Sequence, residues 1–302
     1  MLNSRCLRLV GLTLIPALLY ISPASGETPS KDIKTFVSIM PQAYFVERVG
    51  GPSVEVEVLV APGQSPATFE PTPRQMAALA GADVYFRIGL PFEDQLLAAI
   101  AAINEGLPVI DTREGIELRP MDESGHEGDD HEHDQHGRFD PHVWLDPELV
   151  QVQARNIMAG LAKLNPAGKV EYEKNLRQFQ AELADLDSTI AQILAPLKGR
   201  EIYVFHPSYG YFAGAYGLKQ VAVETGGKEP GARQLADLIE RAIRDSVRVV
   251  FVQPQFSQKS AKTIAEAIGG AVVPLDPLAR DYLANLGRMA RAIERGLMGD
   301  GK

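Results

Sequence analysis

Leu176, Phe179, Leu183, Leu186, Ile190, Ile193 and Leu197 recur at steps of three and four along one stretch of this 302-residue chain. That spacing is one continuous face of a long α-helix, and an apolar face of such length has to be covered by the regions on both sides of it. Those regions share a pattern. Before the helix, IKTFVSI (33–39) reads as a strand and PQAYFVERVGG (41–51) as a short helix ended by glycines. VEVEVLVA (54–61) begins with the strict alternation of a half-buried strand. The helix that follows the loop GQSPATFEP is marked by a Thr72 cap, Pro73 at its first position and Gly81 at its stop. DVYFRIG (83–89), PFEDQLLAAIAAI (91–103) and LPVIDT (107–112) continue the alternation.

From Pro147 to Pro196 the chain reads as helical, with a break at Asn165-Pro166. Strands then return at 201–205, 220–223, 247–252 and 271–275, with helices over 231–244, 257–268 and 281–297. Repeated βα units imply parallel sheets covered by helices. The expected fold is therefore α/β: two doubly wound lobes joined by a long rigid helix, with a cleft between the lobes. The expected divisions are 27–163, with a His-rich acidic loop at 124–137, then the linking helix at 164–198 and a second lobe at 199–302.

The N-terminus places Arg5 and Arg8 before an apolar run and ends it at Ala24, Ser25 and Gly26, the order of a secretory signal peptide cleaved near residue 26. The run is short for a membrane span, which needs about 20 residues; a retained anchor is the alternative. The single cysteine, Cys6, precedes the run, so the mature chain would hold no thiol, no disulfide and no Cys-based metal site. Export without cysteine fits the periplasm. A formal net charge of -9 argues against nucleic acid or an anionic membrane surface as partner and suits a protein that attracts cations.

Four of the six histidines, His126, His131, His133 and His136, crowd the acidic segment GHEGDDHEHDQHG. The other two are solitary: His142 in FDPHVWLDPE and His206 in VFHPSYGYF. In doubly wound lobes ligands bind in loops after the carboxyl ends of strands. His206 follows EIYVF, Asp276 follows AVVPL, and His142 lies in a turn bracketed by prolines. Two imidazoles and a carboxylate from separate loops suit a zinc ion. Each residue also has a plain structural reading: a hydrogen-bonded histidine beside a strand, an aspartate that forms a turn, a solvated acidic loop. Tyr209, Tyr211, Phe212 and Trp144 read as packing around the cleft. No Walker or dinucleotide loop, G-x-S-x-G elbow or HExxH is present.

The strings GQSPATFEPTPRQ, FDPHVWLDPE, VFHPSYGYFAGAYGL, FVQPQFSQKSAKTIAEAIGG and PLDPLARDYL occur in one order over nearly all of the mature chain. In this the chain resembles the zinc/manganese ABC-transporter solute-binding proteins, the ZnuA-like family. The resemblance implies two lobes clasping one metal ion and delivering it to an inner-membrane ABC permease. It implies that His142, His206 and Asp276 are ligands. It also exposes a departure: Ala67 stands in Pro66-Ala67-Thr68-Phe69-Glu70-Pro71 where the family carries its first histidine. A bound water is the expected fourth ligand, with Glu70 or a loop imidazole as alternatives.

Two imidazoles and one carboxylate favour Zn2+ as cargo over Mn2+ or Fe2+, whose sites carry more oxygen donors. The loop histidines would form auxiliary metal sites. The expected protein is a periplasmic monomer, not an enzyme, passing zinc to a permease and exchanging it with a periplasmic metallochaperone. The alternatives are a manganese or iron(II) carrier, an adhesin-like surface protein as some relatives are, and a zinc hydrolase using the open coordination position.

Overall fold

The computed structural model describes residues 32–121, 139–224, 231–256 and 259–299. The signal-peptide reading with Cys6 and the loop histidines His126, His131, His133 and His136 lie outside the described residues. No helix among the described residues is long and apolar enough to cross a membrane.

Two four-stranded parallel sheets organise the chain. The first contains β1 (Ile33–Val37), β2 (Val54–Val58), β3 (Val84–Arg87) and β4 (Val109–Asp111) in the order β2-β1-β3-β4. The second contains β5 (Glu201–Val204), β6 (Lys219–Ala222), β7 (Val249–Val252) and β8 (Ala271–Pro274) in the equivalent order β6-β5-β7-β8. The inner strands β3 and β7 are apolar runs buried on both faces, as a sheet covered by helices requires. Edge strand β2 keeps the alternation of VEVEV, with Glu55 and Glu57 in solvent.

Helices α1 (Met40–Gly50), α2 (Pro73–Ala80) and α3 (Pro91–Ile103) serve the first sheet. The start of α2 is the predicted one. Thr72 Oγ1 accepts from the Gln75 backbone N–H, and Gln75 accepts in return from the Thr72 N–H at 3.0 Å. Then follow α4 (Pro147–Leu164), α5 (Lys169–Leu194), α6 (Gly210–Ala215), α7 (Ala232–Arg244), α8 (Lys259–Ala267) and α9 (Tyr282–Met298). Helix α6, in the sequence GYFAGA, has no counterpart in the sequence reading. Its two glycines lower local propensity, and burial of Tyr211 and Phe212 overrides that deficit.

The long helix does more than link. Tyr172, Leu176, Phe179, Leu183, Ile190 and Leu194 of α5 are buried, and the helix packs on α1 and α4 of the first half and on α9 of the second. Tyr282 at the head of α9 meets Phe45 of α1 edge-on at 4.8 Å between ring centroids, and Phe179 lies 5.9 Å from Phe45. Arg48 of α1 forms a two-pronged ion pair with Glu182 of α5, at 2.6 and 2.7 Å. One apolar core therefore runs from Phe36 and Phe86 in the first sheet through α5 and α9 to Val249 and Phe251 in the second. A smaller core, with Tyr203, Phe205, Val250 and Ile264, covers the other face of the second sheet.

Candidate metal centre

The strand order of each sheet creates a crevice where neighbouring connections diverge, between β1 and β3 and between β5 and β7. In the first half the chain fills that crevice itself. The Glu93 carboxylate, fully buried, accepts from the backbone N–H groups of Ile88 and Gly89 at 3.0 and 2.6 Å and from the Ser38 hydroxyl. Burial raises the Glu93 pKa, against the opposing pull of these hydrogen bonds. In the second half His206 stands at the equivalent place, directly after β5.

His206 follows β5 and is clamped from both sides by Gln253, which follows β7. The Gln253 amide donates to the His206 carbonyl at 2.9 Å and accepts from its N–H at 3.3 Å. The imidazole stacks on Phe256, with centroids 4.9 Å apart. Its Nδ1–H donates to Glu224 Oε2 at 2.8 Å. His142 lies at the entry to a 3-10 turn, Val143–Leu145, just ahead of α4. Its Nδ1–H donates to Asp140 Oδ1 at 2.7 Å, and the same oxygen accepts its backbone N–H at 3.0 Å. Asp140 and Glu224 are 1% and 4% exposed, so both pairings are shielded from water.

A carboxylate on Nδ1 fixes the tautomer that leaves Nε2 as the lone-pair atom, the arrangement found behind metal-bound histidine. The two ring centroids are 5.6 Å apart and the planes are inclined at 74°. Imidazoles sharing one tetrahedral ion at about 2.1 Å from each nitrogen place their centroids about 5 Å apart. The pair is thus already near the spacing of a common ion, and its donors fit a borderline divalent cation.

Both imidazoles face one cleft of about 520 Å³, which is also lined by Ala67, Arg87, Arg113, Trp144, Gln255 and Phe256. Ala67 lies in the 3-10 turn Pro66–Thr68, exposed, where a side chain can offer no lone pair. Glu70 is exposed and is not part of the cleft wall. Asp276 follows β8 at Leu275 and lines an adjoining cavity of about 210 Å³ with Ile39, Met40 and Val60. Its Oδ1 accepts from the Leu278 N–H at 3.0 Å and from Gln255 Nε2 at 2.9 Å. The structure brings His142 and His206 together on one cleft and places Asp276 on the wall of the adjoining cavity, hydrogen-bonded to Gln255, which lines both. Among the described residues no three His, Cys, Asp or Glu side chains converge as a ready-made ligand set.

Asp140, Glu224, Gln253 and Gln255 were absent from the sequence reading. Asp140 had a local signal, an aspartate two residues ahead of a histidine, able to form an Asx turn. Glu224 and Gln253 are joined to His206 only by the pairing of β5 with β6 and β7.

Two parallel α/β lobes on a common helical spine, with imidazoles facing a cleft between them, define a solute-binding protein for a metal cargo. The model of the family described as zinc-uptake complex component A, periplasmic (ZnuA), matches residues 36–296. The high-affinity zinc uptake system protein ZnuA of Bacillus subtilis (strain 168) is 31% identical over 263 residues, covering 85% of this chain and 82% of that protein. The zinc-binding lipoprotein AdcA of Streptococcus pneumoniae (strain ATCC BAA-255 / R6) is 27% identical over 273 residues, which cover 88% of this chain and 54% of AdcA. A crystal structure of ZnuA, 42% identical, superposes with a TM-score of 0.81 over 88% of this chain and 99% of that one. A zinc-bound structure of a ZnuA deletion mutant, also 42% identical, gives 0.80 over 88% and 98%. The chain belongs to the ZnuA family of periplasmic solute-binding proteins.

Proposed function

We propose that this protein captures zinc in the periplasm and hands it to an ABC permease in the inner membrane. The observation that carries the reading is the His142–His206 pair, each imidazole backed by a buried carboxylate and both turned to one cleft. Zinc is favoured by two nitrogen donors, and by relatives named for zinc at 31% and 42% identity. Manganese is the second reading: a Mn2+ complex of the protein FpvC shares the fold, at 24% identity.

Asp276 completes the protein ligands, moving past Gln255 to reach the ion, and a water occupies the position that Ala67 leaves without a donor. Loop histidines 126, 131, 133 and 136 collect zinc weakly. The chain acts as a monomeric carrier with no enzymatic turnover, is exported by removal of a leader ending near residue 26, and receives metal from a periplasmic metallochaperone.

The test is titration of metal-free mature protein with zinc, manganese and anaerobic iron(II). One tight zinc site per chain, lost in His142→Ala and His206→Ala and retained after deletion of residues 124–137, supports the reading. A tight site lost on that deletion and indifferent to His142→Ala overturns it.

A further inference from the structure

Among the described residues of the β7–α8 connection, Gln255 alone lines both the imidazole cleft and the cavity holding Asp276. Its Nε2 donates to Asp276 Oδ1, the oxygen that also takes the Leu278 N–H. At the other end of the same amide, Oε1 is buried and accepts no hydrogen bond among the described residues. The amide is held by its donor end alone. Swinging away therefore sacrifices the bond to Asp276 and nothing on the acceptor side, which is already unsatisfied.

We infer that Gln255 is a latch that holds the Asp276 carboxylate out of the imidazole cleft until a cation arrives. The inference rests on the reading that Asp276 is a ligand. Three observations support it. Asp276 is the candidate ligand whose carboxylate is bonded to another side chain, Gln255, which lines the imidazole cleft while Asp276 itself lines the adjoining cavity. His142 and His206, by contrast, are bonded through Nδ1 and present Nε2 already. The backbone of Asp276 is fixed, its carbonyl accepting from Asn285 Nδ2 at 2.7 Å, so the change needed is a side-chain rotation rather than a loop movement. A two-nitrogen cleft then admits the ion first and the carboxylate follows. The binding-competent arrangement is a fraction of the metal-free population, and apparent affinity is lowered by that fraction.

Latching makes a directional prediction that an orienting role does not. If Gln255 restrains the metal-free form, its removal tightens binding through faster capture. If Gln255 instead steadies the loaded form, its removal weakens binding through faster release. Stopped-flow capture and chelator-driven release of zinc are therefore measured for Gln255→Ala, Gln255→Leu and Asp276→Asn, and for each Gln255 variant combined with Asp276→Asn. Gln255→Leu keeps volume and removes the donor; Asp276→Asn keeps the turn and removes the charge. Apo thermal midpoints check folding.

The expected result is a roughly tenfold rise in affinity for both Gln255 variants, the equivalent of one charge-assisted hydrogen bond. The rise is carried by the association rate and vanishes in the Asp276→Asn background. Unchanged or weaker binding overturns the latch, as does a rise that persists without the Asp276 charge. If Asp276→Asn alone leaves affinity intact while His206→Ala abolishes it, the ligand role of Asp276 fails, and the latch fails with it. That result is distinct from a latch that fails while Asp276→Asn still weakens binding.

Discussion

The indole Nε1–H of Trp144 donates to the carbonyl oxygen of Pro277 at 2.8 Å, joining positions 133 residues apart. Trp144 lies two residues after His142, and Pro277 directly follows Asp276. A second tie lies at the other end of the His142 turn, where the Tyr211 hydroxyl of α6 donates to the Asp140 carbonyl at 3.3 Å and accepts from the Arg119 N–H at 3.0 Å. The turn carrying His142 is thus bonded at both ends to the half that carries His206 and Asp276.

Trp144→Phe keeps most of the apolar volume, removes the donor and leaves a buried carbonyl unpaired. Urea unfolding of the metal-free protein should show a loss of about 1–3 kcal/mol. Zinc affinity should fall as well, because the His142 turn loses one anchor. An unchanged midpoint together with unchanged affinity would show the tie to be incidental.

Glu224→Gln tests the support of His206. Glutamine fits the same space, yet it no longer presents an anionic acceptor to Nδ1–H and can orient the ring differently. Changes to the partner behind a metal-bound histidine lower metal affinity about 10- to 100-fold. Competition with a chromogenic chelator reads this directly, and Asp140→Asn should behave alike for His142.

Ala67→His should tighten zinc binding and slow its release. The side chain at 67 is exposed on the cleft wall, so an imidazole there meets little steric cost. A third nitrogen donor would take the position proposed for a water and close the tetrahedral shell. Equilibrium competition and chelator-driven release measure both effects. Equal affinity in the variant would mean that residue 67 stays out of reach of the ion.

Asp146 gives a pH signature. Burial pushes its pKa up to about 6, against the opposing hydrogen bond from the Glu148 N–H that it accepts in capping α4. In the unfolded chain an aspartate titrates near pH ~3.9. The folded value lies above the unfolded one, so this group's contribution is fully present below about pH 4 and is lost as pH rises through about 6. Asp146→Asn keeps the cap and removes the charge. Its stability relative to the parent should be greater at pH 7.5 than at pH 4, measured by urea unfolding. A difference independent of pH would place the titration elsewhere.

Local features were legible before the structure. Thr72, Pro73 and Gly81 announce α2 because a helix start and stop are written in the residues at its ends. The stripe from Leu176 to Leu197 announces α5 because one face repeats every turn. The placement of His206 and Asp276 at strand ends followed from the alternation alone. What was illegible depends on strands far apart in sequence coming together. Glu224 reaches His206 across 18 positions and Gln253 across 47, with no local spacing to reveal either. The hydrogen bond from Gln255 to Asp276 joins the connections that follow two different strands, β7 and β8, which no periodicity encodes. Helix α6 was missed because its glycines argue against a helix when read alone.

The apolar interior passes without interruption from one sheet to the other through α5 and α9. A carrier built this way has no greasy seam along which to part, since spreading its halves would expose that interior to water. Release of the proposed cargo would then work on a small scale, through side chains of the cleft rather than through a parting of the two halves.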